Sequence, residues 1–404
     1  MRKILAIMII FLLLGAFNVF AQPKASEEYM KNIEKMYSNT FYESISEGVV
    51  EWTYLFYDDS DFISAYEPLE DFCKDAFSGE NLHVIVLEDT YDGTANIWYI
   101  NEDHEKILLE ELGEVDMGDC TTLEFFIRYG KENFTANRYL LALYNHGGGW
   151  MGACIDDTDG GVLKMNDINQ AIMETGGVDI ICFTAPCLMG SLESVYELRD
   201  AVDVYIGSEE LSYYLFWMGT TYDICVMLNN ETDLNNYEIG ERIIHYIETR
   251  YIQHFYGKEL TMSAIRTDKI GELKDGIDDL VHEIHDNFRL NSLQNIKSAR
   301  DSAFSLGWDS AELFDLIDLY GFIENLQGFK TTDELMDSIN ECIIAECHGS
   351  NQSGCNGLSI FFPDSVLDYL IQMNYRGPNE ALDFARDTHW DEFLMLYTLY
   401  NFIL

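Results

Sequence analysis

The chain has 404 residues, and its 71 Asp and Glu side chains outnumber its 24 Lys and Arg side chains, which gives a formal net charge of −47 at pH 7. A surface this acidic repels phosphate backbones, so nucleic acid is excluded as an expected partner. Acidic surface keeps a protein soluble at some cost in self-repulsion, and it also attracts cationic polypeptides or counter-ions.

The first predicted element is an export signal. Two basic residues precede the apolar run 4–17, and a small-residue cleavage site follows at 19–21. We therefore expect residues 1–21 to form a signal peptide and 22–47 to form an N-terminal extension of the mature chain. No later stretch approaches the roughly 18 consecutive apolar residues that a transmembrane helix needs. The sequence predicts a secreted, periplasmic or cell-surface protein with no membrane span.

Apolar, strand-like runs then alternate with helical patterns as far as residue 206. Such alternation favours an α/β fold with a mainly parallel central sheet flanked by helices. Two of the runs are separated only by the turn-rich residues 92–94, which predicts an antiparallel hairpin at that point. The strands are expected at 51–57, 83–88, 96–100, 140–144, 178–183 and 202–206, and the helices at 62–76, 121–131, 165–174 and 189–199.

Beyond residue 237 the pattern becomes helical. A helical subdomain is expected as an insertion at about 238–347, followed by one more buried strand at 357–362. Residues 366–404 are expected to form a docked C-terminal tail rich in aromatic side chains. The helices of the subdomain are predicted at 238–255, 267–290, 293–326 and 332–347.

Two short segments carry the candidate chemistry. His146, which precedes three glycines, and Cys187 each follow one of the predicted buried strands. Catalytic groups in parallel-sheet proteins lie just past the carboxyl ends of such strands, so the two side chains are expected to face each other. A cysteine nucleophile needs a neighbouring imidazole because a free thiol ionises only near pH ~8.5. A helix expected to begin near Leu188 would stabilise the thiolate through its N-terminal dipole.

Each of these residues also has a simpler interpretation. A cysteine that ends an apolar strand is often an inert buried residue, and a single histidine is often a core residue. A His-Gly-Gly-Gly run also occurs in lipases, but these need a Gly-x-Ser-x-Gly nucleophile segment, which this chain lacks. His282 and His285 are three positions apart, whereas the metalloprotease helix motif needs four, so we interpret them as a solvated helix face.

Several segments together resemble the clostripain family, bacterial secreted cysteine peptidases of the caspase-like clan. The most specific part is Cys187-Leu188-Met189-Gly190, followed by Glu193 and by Tyr196-Glu197-Leu198. The other matching segments, in the expected order, are 51–58, 113–119, the His146 segment, 208–210 and 357–363.

This resemblance implies a caspase-like sandwich over residues 48–365. It also implies hydrolysis of peptide bonds through a thioester at Cys187, with His146 as the general base. The backbone N–H groups of Gly147 and Cys187 would then hold the oxyanion, since glycine lets the chain turn sharply after His146. A polypeptide is the implied substrate, and no cofactor is required for this chemistry.

The substrate pocket departs from the family pattern. Family members carry an acidic residue two positions before the nucleophile, where it recognises Arg or Lys at the cleavage site, but this chain has Ala185 there. A buried cation needs a paired carboxylate, so we expect no strict demand for Arg or Lys. Glu209 or Glu210 would restore the charge if either side chain reached the pocket, and Trp217 is a candidate for an apolar wall.

The resemblance also implies calcium as a candidate ligand. Two groups of aspartates offer oxygen ligands, although neither has the spacing of an EF-hand, and no metal site is assigned from them. These groups are Asp58, Asp59 and Asp61, and Asp156, Asp157 and Asp159.

The nine cysteines make an odd number, which leaves at least one thiol unpaired within the chain. Cys347 and Cys355 flank a short polar loop and are the pair most expected to form a disulfide, whereas a reducing habitat would leave all nine as thiols. The function expected is an exported cysteine endopeptidase. The alternative is a non-catalytic caspase-like surface protein that binds peptide or glycan, and the retention of both His146 and Cys187 favours the enzyme.

Overall fold

The computed structural model describes residues 48–61, 69–91, 94–212, 217–251, 255–287, 289–307, 315–365, 375 and 382–403. The expected signal peptide and N-terminal extension lie outside these described residues. Within them, no helix has the length and apolar character needed to cross a membrane.

A mixed sheet forms the centre of the described fold. Its strands are β1 (Val50–Ser60), β2 (Leu82–Thr90), β3 (Ala95–Ile100), β4 (Lys106–Gly113), β5 (Ala136–Tyr144), β8 (Val178–Phe183), β9 (Val202–Gly207), β10 (Thr261–Arg266) and β13 (Ile343–His348). The middle five strands run parallel in the order β9-β8-β5-β1-β2, and antiparallel strands extend both edges to give the full order β13-β10-β9-β8-β5-β1-β2-β3-β4. Two small sheets accompany it, formed by β6 (Ala153–Ile155) with β7 (Val162–Leu163), and by β11 (Ser305–Leu306), β12 (Leu316–Asp318) and β14 (Ser359–Phe361).

Helices cover both faces of the sheet because the central strands are apolar on both sides. In β1 the side chains of Leu55 and Tyr57 join one hydrophobic cluster, whereas those of Tyr54 and Phe56 join the other, as the two-residue period of a strand requires. Full burial of a side chain of this size stabilises the fold by roughly 1.5–3 kcal/mol. The second cluster is covered by α1 (Leu69–Asp75), α5 (Thr221–Asn230) and α6 (Asn236–Tyr251).

The first cluster carries the remaining helices. They are α2 (Cys120–Asn133), α3 (Met165–Glu174), α4 (Leu192–Glu197), α7 (Ile270–Asp286), α8 (Leu290–Ser302), α9 (Leu319–Asn325), α10 (Thr332–Cys342), α11 (Asp383–Asp387) and α12 (Trp390–Ile403). Together the layers form the predicted α/β sandwich with a mainly parallel sheet and a helix-rich C-terminal half.

The C-terminal half differs from its predicted elements in two respects. The expected insertion is not wholly helical, because β10 and β13 pair with the main sheet and extend it beyond β9. The single helix predicted at 293–326 is also wrong. The helix α8 ends at Ser302, and the chain then forms short strands before Asp318 caps the separate helix α9 by accepting a hydrogen bond from the Gly321 N–H.

The helix α12 packs against the strand β14. Its Trp390 is fully buried, and the indole N–H donates to the Phe361 carbonyl at 3.0 Å. Phe362 packs edge-on against Trp390 and Tyr397, with ring centroids 5.3 and 4.9 Å away. These contacts hold α12 against β14 and the residue that follows it.

Candidate active site

The His146 and Cys187 segments leave the sheet side by side. Strands β5 and β8 are parallel neighbours, and their register ends with the pair Leu143 and Phe183. The carboxyl ends of parallel strands lie at the same edge of a sheet, so the loops that follow them meet there. Both candidate catalytic residues lie in these loops, His146 exposed and Cys187 partly buried.

The His146 loop is held by its neighbour Asn145. The buried Asn145 side chain accepts hydrogen bonds from the backbone N–H groups of His146 and Ile155, and its amide donates to the Asp59 carbonyl at 2.9 Å. One side chain therefore joins the ends of β1 and β5 to the returning strand β6. An asparagine directly after an apolar strand was the available sequence signal for this role, and the sequence reasoning missed it.

The loop then folds back on itself as a small hairpin. The Cys154 N–H donates to the His146 carbonyl, and the Gly148 N–H donates to the Gly152 carbonyl, both at 3.0 Å. Gly147 and Ala153 face each other between these two bonds. In such a pair the flanking residues make the hydrogen bonds, so the Gly147 N–H stays out of the hairpin ladder.

Gly147 lies directly against the loop that carries Cys187. A Cβ atom at this position would lie 2.6 Å from Pro186 Cβ, 2.8 Å from the Cys187 carbonyl oxygen and 2.9 Å from Met189 Sδ. Only glycine fits at such an approach. Among the described residues, neither the Gly147 N–H nor the Cys187 N–H has a backbone acceptor.

The turn after Cys187 is not the start of a helix. Leu188 adopts a left-handed backbone conformation with φ of 64°, and α4 begins only at Leu192, where the Ser191 side chain accepts a hydrogen bond from the Ser194 N–H. The prediction that a helix dipole would act on the thiolate is therefore wrong. A left-handed non-glycine residue costs about 1 kcal/mol or more, and strain of this kind is concentrated at functional sites.

This strained turn is fixed by β9 and by the segment that follows it. The Leu188 N–H donates to the Glu210 carbonyl at 3.1 Å, and the Gly190 N–H donates to the Ser208 carbonyl at 2.8 Å. The Tyr205 hydroxyl donates to the Met189 carbonyl at 2.7 Å. The two backbone bonds thus join the loop that carries Cys187 to the segment directly after β9.

The Cys187 thiol contacts the backbone of Ser212. The Ser212 N–H donates to Sγ at 3.3 Å, and Sγ lies 3.9 Å from the Ser212 carbonyl oxygen. Burial raises the pKa of the Cys187 thiol, the Ser212 N–H offsets part of that rise, and the nearby Glu210 carboxylate adds to it. The resting thiol is therefore neutral near pH 7.

The four predicted pocket residues separate into two groups. Ala185 packs against the hydrophobic cluster that contains Trp217, which is fully buried and donates its indole N–H to the Tyr54 hydroxyl at 2.6 Å. Glu209 accepts a hydrogen bond from the Gly357 N–H at 2.6 Å.

Glu210 accepts from the Leu211 N–H at 2.9 Å and from the Gly307 N–H at 3.1 and 3.0 Å. Both glutamates are buried and hold backbone segments around the site. Burial raises the pKa of each carboxyl, with Asp318 adding to the rise at Glu209.

The two aspartate groups predicted as candidate calcium ligands meet at the same edge of the sheet. The Asp157 N–H donates to the Asp61 carbonyl at 3.1 Å, and the Thr158 hydroxyl donates to the Asp61 carboxylate at 2.9 Å. The β1–β2 register adds Asp89 opposite Asp59. Both carboxylates are fully buried, and no oxygen of either has a hydrogen-bond partner among the described residues.

The electrostatics of this acidic cluster are unfavourable for ionised carboxyl groups. Burial, followed by the neighbouring carboxylates, raises the pKa of Asp89 to about 9 and moves the pKa of Asp59 well above its ordinary value. The folded cluster therefore holds protons that the unfolded chain, with carboxyl pKa values near ~4, releases. Its contribution is fully present below pH ~4 and is lost as pH rises toward the folded pKa values. Among the described residues, no three of these carboxylates bring oxygens within 4.8 Å of one another.

All nine cysteines are free thiols. The disulfide expected between Cys347 and Cys355 is absent because the two side chains belong to the hydrophobic clusters on opposite faces of the sheet. The alternative considered from the sequence, nine unpaired thiols, agrees with the structure.

Solved structures of peptidases share this fold. The structure of an inactive zymogen C11 protease from Parabacteroides distasonis superposes with a TM-score of 0.65 at 17% identity, covering 85% of this chain and 99% of that one. A secreted C11 cysteine protease from Bacteroides thetaiotaomicron, solved with an irreversible peptide inhibitor, gives a TM-score of 0.62 at 16% identity and covers 85% and 99% of the two chains. The fold is therefore that of the C11 cysteine proteases.

Comparison of the sequence with known families identifies the family of this chain. The profile of the clostripain family, Peptidase_C11, matches residues 53–397, so the chain belongs to the clostripain family. Clostripain of Hathewaya histolytica is 26% identical over 315 residues, which cover 63% of this chain. The match spans 59% of the length of that relative.

Proposed function

We propose that the chain is a secreted cysteine endopeptidase that hydrolyses peptide bonds with Cys187 as nucleophile and His146 as general base. The observation that carries the proposal is the contact between the two loops, where Gly147 is so close to Pro186 and Cys187 that a Cβ atom would collide with them. Membership of the clostripain family supports the reaction class. The exported location rests on the sequence pattern of residues 1–21 and on the relative described as secreted.

The reaction begins from a neutral thiol. Because burial raises the pKa of Cys187, the resting site does not hold a preformed thiolate, and His146 takes the proton as the sulfur attacks the scissile carbonyl. The Ser212 N–H, which already points at Sγ, stabilises negative charge on the sulfur as it forms. This route makes deprotonation part of the attack.

The negative charge next moves to the carbonyl oxygen. The N–H groups of Gly147 and Cys187 are free of backbone acceptors among the described residues, and both lie on rigid loops, so they are available as the oxyanion hole. Collapse of the tetrahedral intermediate breaks the C–N bond, and the imidazolium of His146 gives its proton to the leaving amine. Water, deprotonated by His146, then hydrolyses the thioester and restores the thiol.

We propose that the residue before the scissile bond need not be Arg or Lys and that uncharged side chains are accepted there. Ala185 supplies no charge, and the carboxylates of Glu209 and Glu210 hold Gly357 and Gly307 instead of facing an open position. Moving either glutamate into the pocket would leave those buried N–H groups without acceptors, at a cost of about 1–3 kcal/mol each.

Calcium is proposed as a structural ligand rather than a catalytic one. The unpartnered carboxylates of Asp59 and Asp89 support a cation site beside β1 and β2, and an ion there would replace the protons that neutralise the cluster. The ion would have to draw the oxygens together, since they are further apart than a common ligand shell allows.

The test of the function is hydrolysis of a fluorogenic peptide library by three forms of the purified protein. Wild type is expected to be active, and Cys187→Ala is expected to lose turnover by a factor on the order of 10⁶ while keeping its fold. His146→Ala is expected to lose activity and to slow the alkylation of Cys187, because the imidazole that takes the thiol proton is gone. Unchanged hydrolysis by Cys187→Ala would reject the proposed nucleophile, and an inactive, well-folded wild type would favour the peptide- or glycan-binding alternative.

A further inference from the structure

A second group of chemistry-bearing side chains lies on the helical side of the molecule and shares no residue with the Cys187 site. Asp278 and His282 occupy neighbouring turns on one face of α7, and His389 directly precedes α12. One nitrogen or oxygen atom from each of the three lies within 4.8 Å of the other two. Among the described residues, this is the one such grouping of three potential metal ligands.

The geometry of the trio is set by rigid neighbours. His389 Nδ1 lies 2.9 Å from Asp278 Oδ1, and His282 Nε2 lies 3.5 Å from Asp278 Oδ2. The two imidazole rings are 4.8 Å apart between centroids. The His389 backbone N–H also donates to Asp278 at 2.7 Å, and the buried Trp390 fixes the next position, so His389 is held in place from both sides.

An ion pair alone does not explain this arrangement. Asp278 and His389 already form a pair, yet the imidazole of His282 also lies beside the Asp278 carboxylate. Two imidazoles this close repel each other if both are protonated, whereas a metal ion binds both in their neutral form. Ligand atoms that share an ion with bonds of about 2.1 Å lie no more than about 4.2 Å apart, so small side-chain rotations bring the three atoms into range.

We propose that Asp278, His282 and His389 bind one divalent first-row transition-metal ion, with zinc as the expected ion. Two imidazole nitrogens and one carboxylate oxygen suit zinc, nickel, cobalt or copper, and they are a poor set for calcium or magnesium, which prefer oxygen alone. Two of the three ligands are exposed, so water completes the coordination shell. The ion would tie α7 to the C-terminal segment, positions 111 residues apart in the chain.

The sequence offers a matched control within one turn of the site. His285 lies on the same helix three positions after His282 and is highly exposed, and its ring faces Asp286 at 3.9 Å rather than the trio. His285→Ala therefore removes one surface imidazole from α7 without touching the proposed ligands.

The experiment uses the full chain without a polyhistidine tag, stripped with EDTA, and with Cys187→Ala to remove the reactive thiol. Calorimetric titration with Zn²⁺ is expected to give one equivalent, lost or weakened by about tenfold or more in His282→Ala and in His389→Ala, but retained in His285→Ala. Saturating Zn²⁺ is expected to raise the Tm of the parent and of His285→Ala but not of the two ligand variants.

Co²⁺ substitution identifies the ligand type. The bound ion is expected to show d–d absorption without a thiolate charge-transfer band. No binding by the parent, equal affinity in all variants, or a sulfur-to-cobalt band would each overturn the proposal. Failure of this site would leave the peptidase proposal untouched, because the two rest on different residues.

Discussion

The replacement Gly147→Ala tests the contact between the loops that carry His146 and Cys187. The new methyl group would lie 2.6 Å from Pro186 Cβ and 2.8 Å from the Cys187 carbonyl oxygen, whereas ordinary contacts are 3.4–4 Å. Neither neighbour is the end of a flexible side chain, so the loops must separate by about 1 Å. A misplacement of that size costs about 10²-fold in rate, or about 2.7 kcal/mol of transition-state stabilisation.

The assay for this variant compares kcat/KM on a fluorogenic peptide with the thermal midpoint. Overpacking is expected to lower stability by about 1–3 kcal/mol, less than would unfold a typical domain. Gly271→Ala is the matched control, because a methyl group there meets nothing within 4 Å and should raise helix stability by about 0.5–1 kcal/mol with full activity. Wild-type kcat/KM and an unchanged midpoint in Gly147→Ala would refute the assigned loop contact.

Three further predictions follow from the acidic cluster, the pocket and the loop after His146. The free energy of unfolding measured with urea should fall as pH rises from 6 to 9, by about 1.4 kcal/mol per pH unit for each proton that the folded cluster holds and the unfolded chain releases. Ca²⁺ should restore part of this loss of stability. Asp89→Asn should flatten that fall while the exposed Asp286→Asn should not, and stability that rises with pH would contradict the raised pKa values. Ranking peptides by kcat/KM should give no strict Arg or Lys preference; a strong preference that collapses in Glu210→Gln would mean that the pocket had been rebuilt around that carboxylate. Intact-mass measurement should detect no self-cleavage after a basic residue within 150–163, because Lys164, the partly buried N-cap of α3, is the first one after His146; a Cys187-dependent cut there at a non-basic residue would indicate a different specificity.

The centre of the fold was predictable because its strands are long apolar runs. The predicted run at 178–183 coincides with β8, and the parallel arrangement follows from the helices between the strands. His146 and Cys187 could be placed at one edge of the sheet for the same reason. The strands β10 and β13 were missed because each adjoins an amphipathic helix, α7 after β10 and α10 before β13, whose period dominates the local pattern.

The details of the site depend on contacts that a sequence pattern does not contain. The apolar residues after Cys187 read as a helix from 189, but the left-handed Leu188 and the pairing of Gly190 with Ser208 delay the helix to Leu192. The Ser212 contact with the thiol joins segments 25 positions apart and depends on the path of the chain after β9. Likewise, His282 lies beside His389, which is 107 positions later in the chain, and helical spacing alone does not reveal this contact.

Because all nine thiols are unpaired, the stability of the fold does not depend on the oxidation state of Cys187. With no disulfide in the folded chain, a reductant such as dithiothreitol removes no covalent support, and the thermal midpoint should be the same with and without it. Seven of the nine thiols are buried and shielded from oxidants, while Cys187 and Cys120 are partly accessible. Oxidants would therefore reach Cys187 and Cys120 before the seven buried thiols, and the surrounding architecture contains no disulfide for a reductant to break.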